Sequence, residues 1–419
     1  MAEEKCIVGL DIGTNVVRVA VGEIDYEGKL SIVATSSKKS AGIRNGVIVN
    51  IEDAKDVIKD AIESAEQEGG VIVTSVIASV GGKHIESENC TGIVPITSIK
   101  NNSRTVTEED RERAISTATA INFPADREII HVIPQDYLVD GIGRIADPVN
   151  RLGYRLQAKV HIVTAAKTVI QNMRSCVNRA GYELDAVMLK SLAEVQAVCH
   201  EDEMELGSII IDLGAGTTDV IVLYQGAPIS TASVEVGGNA VTHDIAIVTE
   251  IPVAAAEKIK IESGCCWLPG IEEDEDVILP GVGGRAPDVI GKKELCEIIQ
   301  ARMEDIFAMV KAAIIKNTEE KVKQLSGNII LTGAGANMEG IVDLAQSVFR
   351  TSSVRKGIPE NLGGIEENYR NPEFATAVGL IVANKGILQK RENKRKAKKN
   401  TSKGTDKGNI LKRLRKMFF

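Results

Sequence analysis

A glycine-rich turn between two apolar strands, at residues 208–224, constrains this chain more than any other stretch. The segment starts with three isoleucines, turns through DLGAGTTD and continues into a second apolar run. Apolar runs on both sides of such a turn predict a buried β-hairpin. Gly214 and Gly216 allow the backbone to approach a ligand and to direct its N–H groups at an anion. An ordinary tight hairpin also collects Gly and Asp, so the turn alone is a moderate signal.

Polar side chains in this turn, and two further turns in the chain, strengthen the signal. Thr217 and Thr218 add hydroxyl donors, and Asp212 is suited to hold a hydrated divalent cation. A second strand–turn–strand segment, IVGLDIGTNVVRVAV at residues 7–21, contributes Asp11, Gly13, Thr14 and Asn15. A third turn, LTGAGA at residues 331–336, precedes a helical pattern and contributes Gly333, Gly335 and Ala336. Three such turns in one chain are a strong signal, although each one alone is weak.

This trio in this order resembles the phosphate-1, phosphate-2 and adenosine motifs of actin, DnaK-type chaperones and sugar kinases. The resemblance implies an α/β fold of two lobes, the actin-like or ribonuclease H-like ATPase fold, that closes on ATP and Mg²⁺. It implies that Asp11 and Asp212 contact the Mg²⁺ through water. It also implies that Gly238 and Glu257 lie at the nucleotide, and that Lys260, or else Lys258, flanks the base.

Residues 85–161 contain sequence motifs that are more specific. The phrases HVIPQDYLVD at 131–140 and GYRLQAKVH at 153–161 resemble FtsA, a family of bacterial cell-division actin homologues with a relocated small subdomain. The resemblance covers roughly the whole chain. It implies filaments of the protein with itself, contacts with other cell-division proteins, and binding of the FtsZ C-terminal tail. The helix predicted at residues 295–310 would bind that tail, with Arg302 and Glu304 as the candidate residues.

The resemblance also divides the chain into segments. We expect a first lobe from residues 1–84, 162–205 and 371–389, with the relocated small subdomain at 85–161. We expect a second lobe from 206–240 and 311–370, with its own small subdomain at 241–310. Helical spacing predicts helices at 51–65, 189–198, 254–261, 295–310 and 372–388, and an apolar run predicts a strand at 71–80.

The helix predicted at 189–198 holds the candidates for ATP hydrolysis. In actins a Gln-Ala-Val before the second turn positions the attacking water, which by resemblance makes Gln196 the candidate, Glu194 its rival and Asp212 a further catalytic candidate. A polar residue on a half-buried helix explains Gln196 equally well. FtsA proteins often have Glu-Pro near the start of this helix, where this chain has Lys190 and Ser191. Any ATPase activity is predicted to be weak.

The C-terminal 30 residues carry charge opposite to that of the body. They contain 13 Lys and Arg against two acids, a net charge of +11, which leaves −19 on the rest of the chain because the whole carries −8. The composition of residues 390–408 predicts a disordered linker. The pattern of apolar and basic residues at 409–419 predicts an amphipathic helix. A basic amphipathic helix behind a flexible linker is typical of an anchor on an anionic membrane surface. Its apolar face would hold Ile410, Leu411, Leu414, Met417 and Phe418, and its basic face Lys412, Arg413, Arg415 and Lys416.

Composition narrows the location and the partners. The acidic body and an aromatic content of 3% argue against nucleic-acid binding. No window approaches the ~20 apolar residues of a membrane-spanning helix, and the first residues do not resemble a signal peptide. Seven cysteines without a Cys-x-x-Cys pair favour a reducing cytoplasm. The sequence therefore predicts a cytoplasmic protein that lies peripherally on the cytoplasmic face of the cell membrane.

Two other functions fit parts of the pattern. A PilM-like pilus-assembly actin homologue would share the relocated subdomain but, as a rule, not the C-terminal anchor. A sugar kinase of the same superfamily would need a catalytic Asp and sugar-binding residues in the cleft, and it would leave the tail unexplained. Capture by an FtsZ tail peptide and a coupled kinase assay across sugars distinguish these alternatives from the main interpretation.

Overall fold

The computed structural model describes residues 6–24, 29–97, 99–100, 103–281, 286–318 and 328–386. The predicted linker at 390–408, the predicted amphipathic helix at 409–419 and residues 387–388 of the last predicted helix lie outside this part of the chain. The fold below is that of the described residues.

The first sheet contains the earlier of the two glycine hairpins. Its six strands are β1 (Cys6–Ile12), β2 (Val16–Ile24), β3 (Leu30–Lys39), β6 (Ser75–Val80), β13 (Glu183–Leu189) and β21 (Gly363–Gly364), in the order β13-β6-β1-β2-β3-β21. β1 and β2 pair antiparallel across the turn, and β6 pairs parallel with both β1 and β13. A two-residue hairpin, β4 (Ile43–Arg44) with β5 (Val47–Ile48), follows β3.

Helix α1 (Ile51–Gly69) covers one face of this sheet. The side chain of Asn50 caps the start of this helix, and acids in its first turn further stabilise the N-terminus. The apolar stripe of the helix is buried, as predicted. The chain then needs four irregular residues to reverse direction, with Gly70 in the left-handed conformation and the Val73 N–H donating to Glu66 Oε1. The predicted strand at 71–80 is therefore wrong at its start, and only Ser75–Val80 is extended.

The inserted segment forms a sheet of its own. Its strands are β7 (Glu86–Pro95), β10 (Arg127–Val139), β11 (Ile142–Ile145) and β12 (Arg155–Ala166), in the order β11-β10-β12-β7, all antiparallel. Helix α2 (Glu108–Thr119) lies against β7 and β12, and a short hairpin of β8 (Ile99–Lys100) and β9 (Ser103–Arg104) precedes it. The insert has its own small apolar cores, which include Leu156, Ala158 and Ile162.

The third sheet contains the second glycine hairpin. Its strands are β14 (Ser208–Leu213), β15 (Thr218–Tyr224), β16 (Ala227–Val234), β19 (Asn328–Thr332) and β20 (Val354–Lys356), in the order β16-β15-β14-β19-β20. The predicted hairpin at 208–224 is confirmed, with Asp212 opposite Asp219 in the β14–β15 ladder. β19, which leads into the third glycine turn, pairs parallel with β14. The two turns therefore emerge at the same edge of the sheet.

Helices pack around the first and third sheets and join them. They are α3 (Lys167–Arg179), α4 (Lys190–Val198), α5 (Glu201–Leu206), α6 (Gly238–Val248), α7 (Val253–Ser263), α8 (Lys292–Thr318), α9 (Ile341–Phe349), α10 (Glu366–Tyr369) and α11 (Ala375–Asn384). Between α7 and α8 lies the hairpin of β17 (Asp276–Leu279) and β18 (Asp288–Gly291). A core that includes Ile77, Ile210 and residues of α4 and α11 holds the two sheets together.

Two predicted helices differ most from the observed ones in their bounds. α8 begins three residues before the predicted 295–310 and extends eight residues beyond it within the described chain. The last predicted helix begins instead with a 3₁₀ turn at Pro372–Phe374, and α11 starts at Ala375. Proline lacks the N–H of an α-helical interior, which is why it stands at the start of that turn.

The insert is bonded to both sheets. Ser87, Asn89 and Gln135 donate side-chain hydrogen bonds to the main-chain carbonyls of β16, at 3.2, 2.8 and 2.7 Å. On the other side, the Leu189 N–H at the end of β13 donates to His131 Nε2 at 2.9 Å. The inserted sheet therefore connects the first sheet, through β13, to the third sheet, through β16.

Candidate functional site

A cavity of about 560 Å³ lies where the three glycine turns meet. One wall consists of the β1–β2 turn, the opposite wall of the β14–β15 turn, and the third turn with α7 and α8 closes one end. Its volume falls in the range of small-molecule sites, and its walls mix apolar and polar groups. Of the predicted ligand residues, the cavity is lined by Asp11, Gly13, Thr14, Asn15, Asp212, Gly214, Gly216, Thr217, Thr218, Gly238, Glu257, Lys260, Gly333 and Gly335.

Ala336 is the exception among the predicted ligand residues. It is fully buried and packs in the core of the third sheet, so it does not line the cavity. Its side chain lies in the core because the chain enters a 3₁₀ turn at Ala334–Asn337, and its contact with the ligand stays a prediction. Its neighbours Asn337 and Met338 line the cavity instead.

The glycines at the turns allow backbone segments to meet closely. A Cβ on Gly214 would lie 2.6 Å from the Thr217 carbonyl oxygen, and one on Gly335 would lie 2.7 Å from Leu213 Cβ. At both positions, atoms of the protein's own backbone or core therefore fill the space that a Cβ would need, and that space is not part of the ligand site. An Asp at either position would disturb the turn itself, so these glycines are poor places to test ligand binding alone.

The turns of the two lobes also touch across the cleft. The side-chain amides of Asn15 and Asn239 exchange two hydrogen bonds, at 2.7 and 3.1 Å. Asn239 lies in the first turn of α6, next to Gly238. The amide pair holds the β1–β2 turn against the start of α6, and the cleft is closed around the cavity.

A lysine that the sequence prediction did not include lies among the acids of the cavity. The ammonium of Lys190 lies 2.7 Å from Asp212 Oδ2 and 3.9 Å from Asp11 Oδ2. Asp11 is further bonded by the Ser79 hydroxyl at 2.7 Å. Burial alone would lower the pKa of Lys190, but the charges of Asp11 and Asp212 outweigh burial and raise it. Lys190 is therefore a permanent cation between the acids of the two lobes.

The sequence did contain a signal for this lysine, namely its place near the start of α4 where FtsA proteins often have Glu-Pro. The lysine changes the interpretation of the two acids. Asp212 Oδ1 is buried without a hydrogen bond, Asp212 Oδ2 lies 2.7 Å from the Lys190 ammonium, and this positive charge stands between the two acids. A Mg²⁺ bound through water carries an octahedral shell of oxygens and two positive charges, which the ammonium beside the acids would repel. The pair of acids, with Lys190 between them, does not fit the predicted water-mediated Mg²⁺ contact.

Glu194 and Gln196 lie on different faces of α4. Glu194 is fully buried and accepts hydrogen bonds from the hydroxyls of Thr332 and Thr376, at 3.1 and 2.8 Å. Burial, and next the charge of Asp212, raise the pKa of Glu194 well above its usual range. Gln196 is half-buried and does not line the cavity, because two residues along a helix correspond to a rotation of about 200°. Glu194 does not line the cavity either, so the choice between Gln196 and Glu194 as the water-positioning residue stays a prediction.

The far end of the cavity is suited to a ribose and a base. Lys260 Nζ contacts Glu257 Oε2 at 2.6 Å and the Gly238 carbonyl at 3.1 Å. The side chains of Met303 and Ile306 on α8 supply an apolar surface beside them. Lys258, the alternative to Lys260, is 72% exposed, pairs with Glu262 and does not line the cavity. Of the two lysines, only Lys260 is at the site.

The predicted partner-binding residues lie outside the cavity on α8. Arg302 forms a two-point ion pair with Asp244 of α6, at 2.5 and 3.1 Å. Glu304 is exposed and accepts a hydrogen bond from Gln300 at 2.8 Å. The charge of Arg302 is therefore partly engaged within the protein.

Comparison with known proteins identifies the family. The family model for the cell division protein FtsA matches residues 209–379, and the model for the SHS2 domain inserted in FtsA matches residues 82–164. The cell division protein FtsA of Borreliella burgdorferi is 42% identical over 377 residues, which cover 90% of each chain. The FtsA protein of Pseudomonas aeruginosa is 38% identical and covers 90% of this chain and 89% of the relative. The chain belongs to the FtsA family of cell division proteins.

Solved structures agree with an actin-like fold for this FtsA-family chain. A chain of the PilM–PilN type IV pilus biogenesis complex superposes with a TM-score of 0.63, at 15% identity, over 89% of this chain and 97% of that one. MreB5 of Spiroplasma citri bound to ADP superposes with a TM-score of 0.57, at 14% identity, over 94% of this chain and all of that one. At such identities these structures establish the fold alone. The FtsA relationship favours the cell-division interpretation over the pilus-assembly and sugar-kinase alternatives.

Two further observations concern the residues that the structure describes. Among them, no helix is long and apolar enough to span a membrane. Among the same residues, no group of three or more His, Cys, Asp or Glu side chains is arranged to hold a metal ion.

Proposed function

We propose that this FtsA-family chain is an ATP-binding protein that polymerises on the cytoplasmic face of the cell membrane. There it tethers FtsZ and recruits later cell-division proteins. The observation that carries this proposal is the convergence of three glycine turns, from distant parts of the chain, on one cavity. Family membership at up to 42% identity supports the cell-division role.

ATP is the proposed ligand because the two ends of the cavity differ in chemistry. The hydroxyl of Thr14 and the backbone of the turns suit phosphates, whereas the hydroxyls of Thr217 and Thr218 donate to Asp219 Oδ2 and to the Val236 carbonyl. Lys260 and Glu257 suit the ribose and the edge of a base, beside the apolar side chains of α8. Mg²⁺ would enter with the phosphates of the nucleotide rather than bind to Asp11 and Asp212, since Lys190 lies between those acids.

Any hydrolysis of ATP is proposed to be slow. Glu194 accepts a hydrogen bond from Thr376, which lines the cavity, but it is fully buried and its pKa is raised by burial, which disfavours the charged form that a general base needs. We therefore propose that nucleotide mainly governs closure of the cleft and filament formation.

The exposed face of α8 is the proposed binding surface for the FtsZ tail, with Arg302 and Glu304 as contacts. Asp244 competes for Arg302, which offers a sharp test. Arg302→Gln should weaken binding of an FtsZ tail peptide by about three- to tenfold, because one charged contact is lost. Asp244→Asn frees the guanidinium and should leave binding unchanged or stronger. Fluorescence anisotropy with a labelled peptide measures both effects.

The pair of variants separates contact from structure. If loss of the Arg302–Asp244 ion pair distorts α8, both variants should weaken binding to the same extent. If neither variant changes the peptide affinity, the FtsZ surface lies elsewhere on the protein. If wild-type protein does not capture the peptide at all, the FtsZ part of the proposal fails.

The tail at 409–419 is proposed to bind an anionic membrane. Each apolar side chain contributes at most about 1.5–3 kcal/mol on full burial, and each basic residue about 1 kcal/mol near an anionic leaflet. Phe418→Glu removes one apolar group and adds a repelled charge, so liposome binding should fall by about tenfold or more. Co-sedimentation with anionic liposomes measures it, and high salt should weaken wild-type binding only in part.

The matched control adds the same charge without removing an apolar group. Ser402→Glu lies in the predicted linker and should pellet with liposomes nearly as well as wild-type protein. If a chain that lacks residues 409–419 pellets with liposomes to the same extent as wild-type protein, the tail is not the membrane anchor.

A further inference from the structure

Lys190 occupies a position that connects three parts of the fold. It is the first residue of α4, directly after β13, and only 17% of its side chain is exposed. Its ammonium contacts Asp212 from the β14–β15 turn at 2.7 Å and approaches Asp11 from the β1–β2 turn at 3.9 Å. These are the two acids that stand in equivalent positions of the two hairpins. A single cation therefore lies between the phosphate-binding turns of both lobes.

The charged side chains around Lys190 are acids, and its positive charge offsets part of their negative charge. Asp219 lies near Asp212 and is held by the Gly82 N–H and the Thr217 hydroxyl. Without Lys190, Asp11, Asp212 and Asp219 would face the proposed phosphates as three acids with no positive group among them. An ammonium is a compact charge with three donors, so it can contact both acids and still direct a donor at a phosphate oxygen.

We infer that Lys190 takes the electrostatic place that a divalent cation would fill between Asp11 and Asp212, so that nucleotide binding by this chain does not depend on Mg²⁺. The inference rests on the proposed nucleotide site. It follows from the disagreement between the two acids and a bound Mg²⁺: the ammonium already occupies the place between them, 2.7 Å from Asp212 Oδ2 and 3.9 Å from Asp11 Oδ2. The positive charge that screens acid from phosphate is supplied by the chain itself.

Substitution of the lysine should restore a requirement for the metal. In Lys190→Gln the acids keep a neutral hydrogen-bonding neighbour but lose the charge. The affinity for ATP should then fall by about tenfold or more in EDTA, because a charge-assisted contact is lost. With Mg²⁺ much of that affinity should return, since the dication can now enter between Asp11 and Asp212. Lys190→Arg keeps the charge and should remain independent of Mg²⁺.

The experiment is calorimetric titration of the full-length chain with ATP, in Mg²⁺ and in EDTA, for wild type, Lys190→Gln and Lys190→Arg. Lys59→Gln, an exposed lysine on α1 far along the chain from the cavity residues, is the matched control and should behave as wild type. Similar wild-type affinities in the two buffers, with a new Mg²⁺ requirement in Lys190→Gln, support the inference.

Two results overturn it, and they differ from failure of the proposed function. If wild-type protein binds ATP with Mg²⁺ but loses about tenfold or more in EDTA, the inference is wrong however the variants fold. Equal Mg²⁺ dependence in wild type and a folded Lys190→Gln also overturns it. Absence of ATP binding by wild-type protein in both buffers instead overturns the proposed nucleotide site, and the inference with it.

Discussion

A Gly238→Phe variant should bind ATP about a hundredfold more weakly than wild-type protein, or worse, while its resistance to unfolding stays nearly the same. Gly238 lines the cavity, and a Cβ there has no neighbour closer than Lys260 Nζ at 3.5 Å and the Gly214 carbonyl at 3.8 Å. The side chain can therefore be accommodated at the start of α6, but its ring must enter the space between those two groups. Calorimetric titration with ATP and urea denaturation measure the two properties.

A phenylalanine at Gly386 provides the matched control. Within the described residues, and apart from its neighbours along the chain, no atom lies within 4 Å of the Cβ position of Gly386, which is outside the cavity, so Gly386→Phe should retain wild-type ATP affinity. Undiminished ATP binding by Gly238→Phe would mean that the cavity is not the nucleotide site. Gly214→Asp would be a weaker test, because its Cβ would meet the Thr217 carbonyl at 2.6 Å and disturb the hairpin itself.

The second large effect should appear on acidification. Burial lowers the pKa of His131 to about 4, with a further contribution from the charge of His161, and burial also lowers the pKa of His161 to about 4. Their unfolded-state value is 6.5. The unfolded chain therefore binds protons first as pH falls, so stability is present above pH 6.5 and is lost between pH 6.5 and about 4. The loss is at most about 3 kcal/mol for each histidine.

Burial is the main reason why protonation is costly at each ring, and at His131 a hydrogen bond adds to the cost. His131 Nε2 accepts the Leu189 N–H, which a protonated ring could no longer do. His161 Nδ1 lies 2.8 Å from Asn89 Oδ1, and its Nε2 is buried without a partner. His131→Gln and His161→Asn retain a neutral acceptor or donor at the bonded atom, so each should remove part of the pH dependence.

Urea denaturation at several pH values tests this prediction. Each histidine variant should lower the slope of the free energy of unfolding against pH by up to about 1.4 kcal/mol per pH unit in this window. His243 is exposed on α6, and His243→Asn should leave the slope as in wild type. A double variant of His131 and His161 with the full wild-type slope would assign the acid sensitivity to other groups.

The sequence allowed the two hairpins to be predicted because their signals are local. Apolar runs around a short glycine turn determine strand, turn and strand without reference to the rest of the chain, and β14–β15 lies where expected. The repetition of the pattern at residues 7–21 made a shared site a reasonable expectation. Helical spacing predicted the helix that carries Glu257 and Lys260, and the resemblance to the superfamily placed those two residues near that site.

The sequence was least informative where side-chain direction or distant contacts decide the outcome. Gln196 and Glu194 differ by two positions on α4, and only the packing of that helix against Thr332 and Thr376 shows which one faces inward. Ala336 turned into the core because a 3₁₀ turn follows Gly333. Lys190 was noticed only as a departure from the family, since nothing in the sequence brings it beside two acids that are far away along the chain.

The hydrogen bonds between the insert and β16 have an evolutionary consequence. All three are donated by particular side chains, Ser87, Asn89 and Gln135, but they are accepted by main-chain carbonyls of β16. Every amino acid offers that carbonyl, so β16 can exchange its side chains without losing the attachment, whereas each donor is fixed by its chemistry. Substitutions should therefore be tolerated in β16 but not at the three donors. The side chains that specify these hydrogen bonds all belong to the insert.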